Sequence, residues 1–192
     1  MKRVMILGQP GAGKSTLARR LGARTGLPVV HIDRIHWSPG WVERAMPQKL
    51  PLIRSAEAQE SWIIEGGLSA TYDTRLARAD TLIVLDLPVW LRLWRVLKRR
   101  FEYAGGQTRP DLPENCPERI DPEFLKWIWD TRRLNAEKNR EMIARAGPEV
   151  TVYHLRSPRA VRRFLAGLDA GRVSGHEAGH GTGHDRTAGA SG

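Results

Sequence analysis

Short apolar runs alternate with longer mixed segments along this chain. Val4-Met5-Ile6-Leu7 is apolar at every position and ends at Gly8. Continuous apolar character, as opposed to alternation, predicts a strand buried on both faces, as in a parallel sheet. Leu17, Ala18 and Leu21 then recur at helical spacing and predict a helix over residues 14–25, stopped by Gly26 with Pro28 beyond. Further strands are predicted at 29–32, 62–64, 81–85 and 150–153. Glu65-Gly66-Gly67 closes the third strand and Asp86 with Pro88 the fourth, while Gly147-Pro148 precedes the fifth. Helix is expected over about 51–60, 89–103 and 122–146. Strands separated by helical or mixed segments point to βαβ units, hence an α/β fold with a parallel sheet.

Two stretches break this rhythm. Residues 33–60 are irregular, with Pro39-Gly40, Pro47 and Pro51, and residues 104–121 mix Gly, Pro and charge. A connection as long as the second is usually a functional lid or a disordered segment. From Gly171 the chain is rich in Gly, His and Ser without apolar periodicity, so a folded domain over 1–168 and a disordered tail over 169–192 are expected. His176, His180 and His184 recur every four residues there, but the surrounding glycines oppose the helix that would align them on a metal.

Composition narrows the class. At 192 residues, with 41% hydrophobic and 27% charged residues, the chain suits one soluble α/β domain. The net charge of +10 attracts anions, and nucleotides, nucleic acid and anionic lipid are all candidates on charge alone. Cys116 is the one cysteine, which excludes an intrachain disulfide and a Cys₄ zinc site; with no base beside it, it reads as a plain lid residue. The apolar stretch Val4–Leu7 is too short for a signal peptide, and residues 82–94 are interrupted by Asp86, Pro88 and Arg92, so no membrane span is expected and the cytoplasm is the default compartment. Five of the seven tryptophans fall between Trp62 and Trp129, which means either an aromatic core or an aromatic-lined site.

The strongest chemical signal follows the first strand. Gly8-Gln9-Pro10-Gly11-Ala12-Gly13-Lys14-Ser15 fits G-x-x-x-x-G-K-[ST] in full, and Thr16 extends it into the helix. Glycines let the backbone wrap phosphates with its N–H groups pointing inward, and the helix that starts at Lys14 aims its positive end at the same anion. Lys14 would reach the β- and γ-phosphates and the Ser15 hydroxyl would ligate Mg²⁺, so ATP with Mg²⁺ is the expected ligand. Asp33, Glu65 and Asp86 stand at predicted strand ends, the edge where open α/β sheets bind ligands, and each is a candidate acid for the metal or a cap for the next turn.

A second signal lies in residues 90–101. Trp90, Leu93, Trp94, Leu97 and Phe101 share one helical stripe, and Arg92, Arg95 and Arg99 the opposite one. Fixed arginines are a usual means of stabilising a transferring phosphoryl group, and Arg132 and Arg133 flank the far side of the long loop. The alternative is a solvated basic face.

These segments resemble the nucleoside monophosphate kinases, adenylate kinase in particular. Over roughly residues 1–168 they resemble still more the bacterial group described as DNA topology modulation proteins or adenylate-kinase-like AAA-family ATPases. His31-Ile32-Asp33-Arg34, Pro39-Gly40-Trp41-Val42-Glu43, Cys116-Pro117-Glu118-Arg119 and Phe124-Leu125-Lys126-Trp127-Ile128-Trp129 carry that closer likeness. The resemblance implies a P-loop NTPase, three-layer α/β/α, with a five-stranded parallel sheet and two inserts: one over about 34–60 for the acceptor and a lid over about 100–135. It implies roles toward ATP phosphates for Arg95, Arg99, Arg132 and Arg133, and a place near adenine for Arg156. The chain departs from adenylate kinase at Glu65-Gly66-Gly67-Leu68, where Asp-Gly, an aromatic, Pro and Arg are usual, and the acceptor insert lacks the AMP-binding pattern. The expected activity is transfer of the ATP γ-phosphate to a small acceptor, a nucleoside monophosphate being the first to test. The competing expectation is a nucleic-acid-associated ATPase that modulates DNA topology, for which no nucleic-acid-binding motif is found.

Overall fold

The computed structural model describes residues 1–103, 108–117 and 121–177, the last seven as backbone. Its centre is a sheet of five parallel strands, β1 (Arg3–Gly8), β2 (Val29–His31), β5 (Trp62–Glu65), β6 (Thr81–Leu85) and β7 (Thr151–Leu155). They lie in the order β2-β5-β1-β6-β7. A two-residue hairpin, β3 (Trp37–Ser38) with β4 (Val42–Glu43), stands apart from that sheet. The α/β parallel architecture expected from the run pattern is therefore the architecture found.

The continuous apolar runs are explained by two buried faces. Along β1, Val4 and Ile6 pack on one side with Leu17, Ala18 and Leu21 of α1 (Lys14–Thr25) and Leu165 of α8 (Pro158–Glu177). Met5 and Leu7 pack on the other side with Ile53 of α3 (Met46–Ala58), Leu76 of α4 (Tyr72–Arg78) and Met142 of α7 (Arg132–Ala144). The alternation of side chains across the pleat puts neighbours in sequence into opposite layers, so a strand covered by helix on both sides must be apolar throughout.

Boundaries differ from expectation in five places, each for a local reason. β2 ends at His31, and Ile32 opens the short helix α2 (Ile32–His36). Ile32 is apolar because it is fully buried against Gly66, not because it extends the strand. Helix α3 begins at Met46, five residues before Pro51, with Gln48 Oε1 accepting from the Ala45 N–H at 3.2 Å. The 3₁₀ turn Ser69–Thr71 and α4 carry too few apolar repeats to register in the pattern. The long helix expected over 122–146 is two, α6 (Pro122–Asp130) and α7. At their junction Thr131 has φ −83° and ψ 0°, and its N–H and hydroxyl both donate to the Trp127 carbonyl, at 3.0 and 2.7 Å. Finally, α8 continues to Glu177, past the Gly171 at which structure was expected to cease. Residues 178–192, with His180 and His184, and lid residues 104–107 and 118–120 lie outside the described residues.

The tryptophans divide between core and surface. Trp62 is 1% exposed and its indole N–H donates to the Glu57 carbonyl at 3.2 Å, while Trp90 is 69% and Trp94 57% exposed. Among the described residues no helix is long and apolar enough to cross a membrane. Removing the Trp62 ring leaves a cavity between β5 and α3. Trp62→Ala should lower unfolding stability by about 3–5 kcal/mol, read from the denaturant midpoint.

Candidate active site

The turn between β1 and α1 is held against two backbones. A Cβ on Gly8 would stand 2.6 Å from the Leu85 carbonyl oxygen of β6. One on Gly11, whose φ is +76°, would stand 2.3 Å from the Arg92 carbonyl oxygen of α5 (Val89–Glu102). Both glycines are thus required by space, and Gly11 also by its left-handed backbone. Ala12 is 2% exposed and its N–H donates to the Gln9 carbonyl at 3.1 Å, closing the turn. The Lys14 ammonium donates to the same carbonyl at 3.3 Å. Ser15 follows half-buried on the first turn of α1, and Thr16 is exposed. This bare, inward-curving backbone at a helix N-terminus is a cradle that fits the phosphates of a nucleotide with its magnesium.

The arginine stripe of α5 faces inward. Arg92 is 3% exposed and its Nε donates to the Leu87 carbonyl at 3.1 Å. Arg95 Nη1 donates to the Ala12 carbonyl at 3.2 Å, which places a guanidinium directly on the phosphate turn. Arg99 lies one turn further along the same stripe, half-buried. The opposite, apolar stripe is the exposed one: Leu97 is 42% and Phe101 79% exposed, beside Trp90 and Trp94. The solvated-basic-face alternative therefore does not describe Arg92 or Arg95.

The second arginine pair splits. The Arg132 guanidinium lies 4.1 Å over the Trp129 ring, and its carbonyl accepts from Gln9 Nε2 at 3.4 Å, tying the head of α7 to the phosphate turn. Arg133 is exposed on the next position. Arg156 is exposed at the end of β7, beside the β6 end where the Asp86 N–H donates to the Leu155 carbonyl.

The three candidate acids have different surroundings. Asp33 sits half-buried in the first turn of α2, not at a strand end. Burial pushes its carboxyl above the ordinary range against the opposing pull of Lys14, with Glu65 adding to the rise. Glu65 is buried, and His31 Nδ1 lies 2.6 Å from its Oε1 because the two residues are register partners on β2 and β5. Asp86 lies 3.2 Å from His154 Nε2 of β7. Among the described residues no group of three or more His, Cys, Asp or Glu side chains is arranged to hold a metal directly, so a magnesium ion here would rest chiefly on Ser15 and phosphate oxygens.

Several contributors were not legible in the sequence. Arg75 is fully buried and donates to the Gly66 carbonyl at 3.0 Å, the Leu68 carbonyl at 3.1 Å and Thr71 Oγ1 at 3.1 Å, fixing the loop that follows Glu65. The described lid segment brings Asp111, 3% exposed, onto α1, where Arg19 Nη1 meets its Oδ1 at 3.1 Å. The same segment clasps the β3–β4 hairpin. The Trp41 N–H donates to Cys116 Sγ at 3.3 Å and the Trp41 indole to the Pro117 carbonyl at 2.9 Å. Cys116 is fully buried in this clasp, and Trp41 adopts φ +62°, a conformation rare for a bulky side chain. Trp41 is thus spent on joining lid to insert. Nothing local in the sequence signals such pairings, since each joins residues dozens of positions apart.

Comparison with known proteins places this geometry. No protein-family model matches the chain. Among curated proteins it is 23% identical over 146 residues to threonine synthase-like 1 of Mus musculus, a match covering 68% of this chain and 19% of that protein; the chain thus corresponds to about a fifth of that relative's length. Among solved structures it superposes on shikimate kinase from Acinetobacter baumannii, in complex with shikimate, with a TM-score of 0.58 and 16% identity, covering 91% of this chain and 95% of that one. Deoxyadenosine kinase from M. mycoides with bound dATP gives a TM-score of 0.49 at 14% identity, covering 86% and 98%. The chain has the fold of the P-loop kinases.

The raised carboxyl of Asp33 has a stability consequence with a definite sign. An acid whose folded pKa lies above its unfolded value stabilises the fold only while protonated, so its contribution is lost as pH rises from about 4 through the raised value. Asp33→Asn should therefore melt at higher temperature than the parent at pH 7, a gain of about 0.5–2 kcal/mol, and the difference should shrink toward pH 4. A variant less stable than the parent at pH 7 would show that the Lys14 attraction outweighs burial.

Proposed function

We propose that this chain is an ATP-dependent kinase that moves the γ-phosphoryl group to a hydroxyl of a small acceptor. The observation that carries the reading is the convergence on the phosphate turn. A glycine cradle, Lys14 and Arg95 lie on the turn at the C-terminal edge of the sheet, and the charge of Lys14 acts on the Asp33 carboxyl. In this reading the turn N–H groups and Lys14 bind the phosphates, and Arg95 offsets charge on the group in transfer. Magnesium, held by Ser15, would supply further charge neutralisation on the phosphate oxygens.

The acceptor side favours a hydroxyl over a phosphate. In the insert Arg44 donates to the carbonyls of Arg34 and Ile35 and Lys49 is buried on Glu43 at 2.6 Å, which leaves Arg34 and Arg54 as its exposed cations. What the insert offers toward Lys14 is Asp33. A carboxyl pushed up by burial is a better proton acceptor than an ordinary one, which suits a general base for an acceptor hydroxyl. The nucleoside monophosphate suggested by the adenylate-kinase likeness is therefore the less favoured acceptor, and a small polyhydroxylated metabolite the more favoured. The clasp between lid and hairpin would close over both substrates and exclude water, which would otherwise take the phosphoryl group.

The first test is ATP consumption by the purified chain with Mg²⁺ against small sugars and hydroxy acids, nucleoside monophosphates and duplex DNA, with products separated and identified. Stimulation by a hydroxyl compound together with a new phosphorylated product is expected; stimulation by DNA with no phosphorylated small molecule would overturn the kinase reading in favour of a DNA-dependent ATPase. Lys14→Ala should abolish transfer with the melting temperature unchanged. Arg95→Ala should lower kcat on the order of 10²-fold while changing ATP affinity far less; an equal loss in both would make Arg95 a structural support of the turn.

A further inference from the structure

The outward stripe of α5 has no part in the reaction proposed above. Its exposed members Trp90, Trp94, Leu97 and Phe101 recur at intervals of four, three and four residues. On a regular helix they fall within about 60° of arc and run about 16 Å along the axis. That is the narrow seam by which one helix packs on another, whereas a helix lying in a bilayer buries a whole apolar face. At the head of the stripe Trp90 stands 4.8 Å from Trp129 of α6, and the Arg132 guanidinium lies 4.1 Å over Trp129. Large, rigid aromatic rings are the side chains on which binding energy concentrates at protein interfaces.

The flanks of the seam select its occupant. Lys98 and Arg100, both exposed, lie on either side of it. Residues 89–102 contain five Lys and Arg against one acid, Glu102. Glu102 meets Lys98 at 3.2 Å, a surface pair that a better-placed acid displaces at little cost. Positions beside a seam face the flanks of the opposing helix. A second copy of α5, in either direction, would set Lys98 and Arg100 against Lys98 and Arg100, so charge opposes self-pairing. Residues 178–192 have no apolar side chain larger than alanine and offer the seam nothing to bury.

We propose that this stripe is a docking surface for an amphipathic helix of a partner protein, one with an apolar seam and Glu or Asp on both flanks. Trp94, Leu97 and Phe101 pack into the seam of that helix, and Lys98 and Arg100 pair with its acids. The seam lies on the face of α5 opposite Arg92 and Arg95, so docking leaves the phosphate turn open.

The probe is a fluorescently labelled synthetic helix of three heptads with Leu at both seam positions and Glu at both flanking positions, whose like charges keep it from pairing with itself. Its twin has Lys at the flanks. Both are titrated with the full chain at physiological ionic strength. The acidic peptide should bind the parent about tenfold tighter than its twin or better. Trp94→Gln and Phe101→Gln, at exposed positions, should each weaken it about tenfold with the melting temperature unchanged. Lys98→Glu combined with Arg100→Glu should reverse the preference between the peptides, an outcome that misfolding or general stickiness would not give. Equal binding of the two peptides, no binding of the acidic one, or indifference to Trp94→Gln and Phe101→Gln would each overturn the proposal. Parallel titrations use phosphatidylcholine vesicles containing phosphatidylglycerol, and a single-stranded oligonucleotide. Binding of either that Trp94→Gln abolishes, where the acidic peptide fails, would reassign the stripe to a lipid surface or to nucleic acid. Dimerisation of the parent that Trp94→Gln abolishes would reassign it to a second copy of the chain.

Discussion

The architecture depends on one close approach: the phosphate turn is pressed between the Leu85 carbonyl of β6 and the Arg92 carbonyl of α5, at distances that leave no room for a Cβ. Where the turn meets those two carbonyls it carries no side chain, the positions being Gly8 and Gly11, while Ala12 between them and α1 packs into the core. The turn is therefore held at two backbone contacts. The register of β6 beside β1, with Gly8 opposite Leu85, places one of those carbonyls. The start of α5 right after β6 places the other.

That constraint explains why α5 is inverted relative to an ordinary surface helix. An amphipathic helix normally buries its apolar stripe. Here the Arg92 backbone packs on Gly11, so the stripe containing Arg92 and Arg95 must face the turn, and Trp90, Trp94, Leu97 and Phe101 face out. Burying guanidinium groups is unfavourable without partners, and the backbone carbonyls of Leu87 and Ala12 supply part of the compensation. The exposed aromatic stripe is the cost of orienting cations toward the site.

The acids follow a similar logic. In a parallel sheet with β2 beside β5, His31 and Glu65 are forced opposite one another, so Glu65 is engaged before any ligand arrives. Asp33, set one turn beyond the strand in α2, keeps its carboxyl near Lys14. Asp111 meets Arg19 of α1 from a segment that is itself joined to the β3–β4 hairpin through Trp41 and Cys116. The candidate site thus draws on α1, α2 and α5 around a turn whose position the sheet determines.

The sequence by itself determined the elements whose signal is local. Val4–Leu7 as a strand apolar on both faces, the phosphate turn Gly8–Ser15 and the α1 helix ended by Gly26 all follow from spacing and residue type within a few positions. The parallel α/β class followed from their alternation. Elements with little local signal were lost: α4 has seven residues, and the break at Thr131 is a change of backbone angle at one residue. Tertiary structure alone decided which way α5 turned, since a helix with an apolar and a basic stripe has no internal reason to bury the basic one. It alone decided that Glu65 and Asp86 meet histidines, that Arg75 ties the loop after β5, and that Asp111 meets Arg19 of α1. Each of these joins residues brought together by strand order or lid placement, and periodicity along a chain contains no information about which distant segment will lie beside it.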